Sequence, residues 1–205
     1  MEAASAAKSF RHDSYEQQQE EQAVTNFNYC PNCATPLMML VADEDTGPVE
    51  RLRCPACGFT HWNNPVPVLA AIVEYRGQVL LARNAAWPGK MFALITGFME
   101  ADETPQEGIA RELKEETNLD ACSVDLVGVY DFQRMNQVII AYHVVAEGEV
   151  RLSPELVDWR LFDLADAQGW PDGTGYSRGD WLGTRGHQPV FFTPQENAER
   201  RRGLD

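Results

Sequence analysis

The sequence predicts an α/β domain preceded by a small appended module, and three observations carry that reading. Two C-x2-C pairs, YCPNC at 29–33 and CPACG at 54–58, stand twenty residues apart. Short apolar runs of strand character follow: VLAAIVEY, QVLLAR, MFALIT, VDLVGVYDF and QVIIAYHVV. Between the third and fourth runs lies a single helix with sharply marked ends.

Size and charge bound what such a chain can be. Its 205 residues, 44% hydrophobic, support one core of ordinary size and a small module beside it. No apolar run reaches the ~18 residues of a membrane span, and MEAASAAKSF lacks the apolar segment of a secretory signal. A soluble, cytoplasmic protein without a membrane partner is therefore expected. The net charge of -14 disfavours broad attraction to nucleic acid, because phosphate binding needs a basic face to displace counterions. An anionic substrate would need metal ions as intermediaries.

Residues 1–26, with EQQQEEQ and few apolar positions, bury too little surface to offset chain entropy and read as a mobile tail, a short helix being the alternative. Residues 27–62 read as a zinc ribbon. Cys30, Cys33, Cys54 and Cys57 can close a tetrahedral shell around Zn²⁺, each pair on a tight turn. The other readings are two disulfides or scattered buried cysteines, both disfavoured without a secretory context. Four protein ligands leave no open position, so the metal is expected to be structural, standing in for a core that some 30 residues cannot build. His61 lies near the second pair but is not needed. Between Cys30 and Cys57 only Arg51 and Arg53 are basic, against Asp43, Glu44, Asp45 and Glu50, so the ribbon lacks a nucleic-acid footprint. The fifth cysteine, Cys122, reads as a buried core residue.

After the NNPVP connector, Arg76-Gly77 joins the first two strands in a tight hairpin. The helix begins at a T-x-x-E capping box, with Thr104 as cap, Pro105 at the first helical position and Glu107 closing the box. It should stop at Asn118, the best substitute for Gly in a left-handed helix terminus. Ile109, Ala110 and Leu113 can face the core, while Glu112, Glu115 and Glu116 converge on one edge. A solvated acidic face is the bland alternative, since charges ~5 Å apart repel by only ~1 kcal/mol in water. In a cleft the repulsion rises to ~3 kcal/mol per pair, and divalent cations relieve it.

The residues around those glutamates resemble a known motif. Gly97, five residues, Glu103, seven residues and then RELKEETNL from Arg111 is similar to the Nudix box, G-x5-E-x7-R-E-U-x-E-E-x-G-U with U aliphatic. Every specified position matches except the last glycine, here Asn118, a departure of backbone geometry worth at most ~1 kcal/mol. The resemblance covers residues 66–165, and the preceding ribbon looks like the zinc-containing branch that includes NADH pyrophosphatases.

The resemblance implies an α/β/α sandwich with a mixed sheet and hydrolysis of a nucleoside diphosphate linked to another group. Mg²⁺ or Mn²⁺ would bridge protein and phosphate, neutralise charge and activate water. Glu112 and Glu116 would ligate these ions, Glu115 would complete the set directly or through water, and the Thr96 carbonyl would add a contact. Arg111 would orient Glu103 and the helix carboxylates rather than touch substrate. Glu155, in SPELVDW, stands where related pyrophosphatases carry a further metal-binding glutamate; a solvated glutamate is the alternative. Phe98 could stack on a base and Asn136 and Gln137 could hydrogen-bond it, core packing and turn or strand polarity being at least as good readings.

Substrate identity is less sharply drawn. The NADH pyrophosphatase branch carries S-Q-P-W-P-F-P-x-S downstream of its box, whereas this chain has VYDFQRMNQVII, which weakens NADH as the substrate. A small-molecule dinucleotide or nucleotide sugar such as ADP-ribose, FAD or NAD(H) is expected, with capped RNA 5′ ends as an extension that the acidic surface does not help. The competing classes are a nucleotide-sensing Nudix protein with little turnover and a zinc-ribbon nucleic-acid binder. His143 reads as a structural strand residue. Residues 166–205 form a C-terminal extension whose WPDGTGYSRGDWLGTRG reads as irregular packing, a lid or a homodimer arm, and whose ERRRG reads as a solvated helix end.

Overall fold

The computed structural model describes residues 27–87, 91–164, 168–171 and 173–202, and the tail expected over 1–26 lies outside them. Two compact units divide between Pro65 and Val66. No helix among the described residues is long and apolar enough to cross a membrane.

The first unit is an antiparallel sheet of three strands, β1 (Met38–Glu44), β2 (Gly47–Arg53) and β3 (Thr60–His61). Its two cysteine turns repeat one geometry. Ala34 N–H donates to the Cys30 carbonyl at 2.8 Å, and Gly58 N–H to the Cys54 carbonyl at 3.0 Å. The residue after each second cysteine is left-handed, Ala34 at φ 57° and Gly58 at φ 78°. Among the described residues of this unit only Cys30 and Cys54 are buried. The unit has no apolar interior to hold it together.

The second unit is built on one mixed sheet. Its order is β7 (Asp120–Phe132), β8 (Gln137–Glu147), β4 (Val66–Tyr75), β5 (Gln78–Asn84) and β9 (Leu156–Phe162), with β6 (Ile95–Phe98) also paired to β4. β4 and β8 run parallel and the remaining pairs antiparallel. β4 is central, so successive side chains are buried on opposite faces. Leu69, Ala71 and Val73 pack with Ile109 and Leu113 of α1 (Pro105–Thr117). On the other face Ile72 packs with Trp181 and Leu182 of α2 (Thr174–Thr184). The result is the expected α/β/α sandwich.

Local chemistry explains the joints. Arg76 and Gly77 both have positive φ, 56° and 78°, as the tight hairpin between β4 and β5 requires. Thr104 caps α1: its hydroxyl accepts the Glu107 N–H at 3.3 Å and its own N–H donates to the Glu107 carboxylate at 2.8 Å. Asn118 is left-handed at φ 63°, and its amide donates to the Glu149 carbonyl at 3.0 Å, a bond that glycine could not make. Ile109 and Leu113 are fully buried, and Ala110 half-buried. The tetrapeptide TPQE that opens α1 recurs at Thr193–Glu196, where the same reciprocal box opens α3 (Pro194–Arg202).

Two sequence readings are corrected. Cys122 is exposed, not buried, because β7 is an edge strand and its register with β8 slips between Ala121 and Ser123, leaving Cys122 opposite no partner. The glycine-rich C-terminal segment is not irregular: it forms α2. Two of its glycines are required by close contact. A Cβ on Gly175 would lie 1.9 Å from the Trp170 carbonyl oxygen, and one on Gly179 would lie 2.5 Å from the Phe191 ring.

Thr104→Ala removes half of the α1 box and should lower stability by about 1 kcal/mol. Urea unfolding of the two proteins should show this as a lower midpoint at unchanged slope.

Candidate active site and metal centre

The cysteine cluster is the simpler of two sites. The four Sγ atoms lie within 4.8 Å of one another, with Cys30 to Cys57 at 3.5 Å, Cys33 to Cys54 at 3.4 Å and Cys33 to Cys57 at 3.6 Å. Zn–S bonds of about 2.3 Å in a tetrahedron place sulfurs about 3.8 Å apart, so the quartet has the dimensions of a closed zinc shell. None of the four forms a disulfide.

The second site is organised by Arg111, one cation among several glutamates. Its Nε and Nη2 donate to the two Glu103 oxygens at 2.9 and 3.0 Å. Nη1 donates to Glu112 at 2.9 Å and to Glu115 at 3.1 Å, and Nη2 reaches the Phe98 carbonyl at 3.3 Å. Glu103 also accepts the Glu100 N–H at 2.8 Å. The Arg111 guanidinium and that N–H hold the Glu103 carboxyl down at about 2. Arg111 thus ties the loop after β6 to the face of α1.

Glu112 and Glu116 experience the opposite. Burial pushes the Glu112 carboxyl up, against the pull of Arg111. Burial and the neighbouring charges of Glu112, Glu155 and Glu115 push Glu116 up to about 7. Glu155, itself exposed, comes near Glu116 because the chain before it runs along the end of α1: Arg151 and Ser153 N–H donate to the Thr117 and Glu116 carbonyls, each at 2.9 Å. These bonds satisfy two carbonyls that a helix end leaves orphaned. The glutamates form a looser group than the cysteines, since among the described residues only the cysteines bring three or more ligand atoms within 4.8 Å. Oxygen donors with an excess of negative charge suit a hard divalent cation.

Two glycines admit this arrangement. A Cβ on Gly97 would sit 1.9 Å from the Glu112 carboxylate carbon. On Gly108, within α1, it would meet both Glu103 and Leu69 at 2.5 Å. Gly108 escaped the sequence reading, although a glycine inside a helix was its signal.

Thr96, on β6, pairs with Ala70 of β4 and lines a cavity of about 480 Å³. The cavity also takes in Gln137, Phe132, Trp87, Trp170 and Asn197, of which the sequence reading had proposed only Gln137. Asn136 instead ends a short 3-10 turn in left-handed conformation, its carbonyl accepting the Val66 N–H at 2.9 Å. Phe98 is 58% exposed and is not a core residue. His143 is buried on β8, bonded to Glu74 at 2.9 Å and stacked on Trp181, in keeping with a structural role.

Comparison with known proteins gives this geometry a family. The model described as NUDIX domain matches residues 63–179. The chain belongs to the NUDIX domain family. A second Nudix model, described as Nudix N-terminal, matches residues 28–63, the cysteine-bearing segment. Among solved structures, a NUDIX hydrolase from Nitrosomonas europaea is 27% identical, with a TM-score of 0.64 over 81% of this chain and 97% of that one. An ADP-ribose pyrophosphatase from Streptococcus suis shares the Nudix fold at 19% identity and a TM-score of 0.50, over 63% of this chain and 100% of its own. The NAD-capped RNA hydrolase NudC of Stutzerimonas stutzeri is 23% identical over 72% of this chain and 52% of its own length. The chain thus spans about half the length of the curated Nudix relatives it matches.

Two outcomes follow for the sites. The purified protein should carry about one zinc per chain, and Cys54→Ser should abolish it and collapse the dispersed amide NMR signals of residues 27–65. In Mg²⁺-free buffer, Glu116→Gln should stabilise the protein at pH 8. The Glu116 carboxyl is raised when folded, so its ionisation opposes folding as pH climbs from its ordinary value toward about 7. The gain, about 1–2 kcal/mol after solvent screening, should vanish by pH 4.5 in urea unfolding.

Proposed function

We propose that the protein hydrolyses the diphosphate of a nucleoside diphosphate joined to a second group, of the ADP-ribose, FAD or NAD(H) kind. The observation that carries this is the charge imbalance at α1: one guanidinium bonds Glu103, Glu112 and Glu115, while Glu116 and Glu155 lie beyond it, and Glu112 and Glu116 are pushed up in pKa. A diphosphate would be repelled by that face unless cations stood between them. Glu112 and Glu116 are the residues to hold Mg²⁺ or Mn²⁺, with Glu115, Glu155 and the Thr96 carbonyl around them. Such ions, when bound, neutralise phosphate charge and make water nucleophilic at neutral pH.

The chain's own groups do the positioning. Arg111 fixes Glu103 and Glu112 against the loop after β6, so the ligand oxygens are preorganised rather than recruited. Gly97 leaves the Glu112 carboxylate room that any side chain would fill. Glu155, which no bond from Arg111 restrains, supplies either a further ligand or the group that receives the proton of the attacking water. The names of the curated relatives add NAD-capped RNA to the substrates worth testing, although a net charge of -14 offers the RNA body no attraction.

A panel of NADH, ADP-ribose, FAD and NAD-capped RNA, each with Mg²⁺ or Mn²⁺, should show turnover of at least one member into two phosphorylated products by mass. Glu116→Gln should reduce kcat by about 10³-fold at unchanged fold. Tight nucleotide binding without turnover of any member would instead establish a sensing protein.

A further inference from the structure

The cavity on the α2 face of the sheet is separate from the carboxylates yet borders them, because Thr96 lines it and the next residue, Gly97, lies against Glu112. Its volume of about 480 Å³ is that of a small-molecule site. Trp87, Phe92, Phe132 and Trp170 give it flat apolar walls. Into it projects one polar side chain from outside the matched Nudix region: Asn197, on α3.

Asn197 is 9% exposed and lines the cavity. Local hydrogen bonds hold its backbone in place. The Thr193–Glu196 capping box fixes the first turn of α3, with Thr193 N–H and hydroxyl donating to the Glu196 carboxylate at 2.7 and 2.8 Å. Asn197 N–H then donates to the Thr193 carbonyl at 2.9 Å. The Phe192 N–H bonds the Gly169 carbonyl at 2.9 Å, tying the start of this segment to the residue before Trp170. A polar residue so anchored in the wall of an aromatic cavity is placed to meet a ligand.

We propose that Asn197 is a specificity-determining residue: with Gln137, its carboxamide pairs with the donor–acceptor edge of a planar heteroaromatic ring of the substrate, held between the aromatic walls. An amide offers one donor group and one acceptor side by side, which matches the edge of adenine or the carboxamide of nicotinamide. Apolar walls alone discriminate poorly between rings of one size, whereas a buried hydrogen-bonding group rejects a ring that cannot answer it. The assignment rests on the nucleotide-hydrolase reading for its ligand class, but concerns recognition and not chemistry.

Equilibrium titration of the full chain with AMP and with nicotinamide mononucleotide, in Mg²⁺, tests it without turnover. Asn197→Leu, close in size but apolar, should weaken one of the two at least tenfold and leave the other within twofold. Loss for AMP assigns the cavity to the adenylate half, and loss for nicotinamide mononucleotide to the other half. Asn197→Asp, which keeps the shape and removes the donor, should weaken the same ligand and serves if the leucine variant misfolds. Equal affinities in wild type and both variants, or no binding of either mononucleotide to wild type, overturn the proposal. Asn197-dependent binding with no hydrolysis of any dinucleotide would leave it standing and overturn only the hydrolytic reading.

Discussion

The Arg111 guanidinium is the contact on which the candidate active site depends. It engages three carboxylates and the Phe98 carbonyl at once, so one side chain joins β6, the loop after it and the face of α1. Its planar fork suits this role, since the two Glu103 oxygens are met in parallel while a third nitrogen remains for the helix glutamates. Removing it would leave Glu103 and Glu112, side chains only 13% and 14% exposed, without their cation. What it does not do is neutralise the site. Glu116 receives no bond from it and is pushed up to about 7, so the arrangement remains short of positive charge. That shortage is the physical opening for divalent ions.

Each of the two units is stabilised internally by a different means. The second buries Leu69, Ile72, Leu80, Ile95, Ile109 and Leu113 completely and is stabilised by apolar area. The first buries only two of its described side chains, both cysteines, and its strands leave Met39 and Val41 more than half exposed. Its fold therefore rests on what the thiolates bind. The left-handed Ala34, where the second turn has Gly58, is a local strain that four metal–sulfur bonds would readily offset.

Features with local causes were legible in the sequence. The capping box at Thr104, the left-handed stop at Asn118, the Arg76-Gly77 hairpin and the repeated cysteine turns each depend on a few neighbouring residues, and each appears where the residues predict it. Features with distant causes were not. α2 is unreadable because Gly175 and Gly179 are poor helix formers on their own, each less favourable than alanine by about 1 kcal/mol, and are present because Trp170 and Phe191 press against them. Cys122 was misplaced because a bulge, not the apolar pattern, decides which way it points. Asn197 could have been suspected only through TPQE, the tetrapeptide it follows, which is the same one that opens α1.

The divergence of VYDFQRMNQVII from the signature of the NADH pyrophosphatase branch takes on a physical meaning once the cavity is known. Phe132, Arg134, Met135 and Gln137, all from that stretch, line it. The glutamates and Arg111 lie on the α1 side of β6, whereas Thr96 faces the cavity on the other, because neighbouring strand residues point to opposite faces. Change in the hairpin between β7 and β8 therefore alters the lining of the cavity while leaving the carboxylates and Arg111 untouched. α3 adds a second wall, Asn197, from beyond the matched region. On the proposed reading the diphosphate is met on one side of β6 and the ring on the other, so the two are recognised by separate side chains.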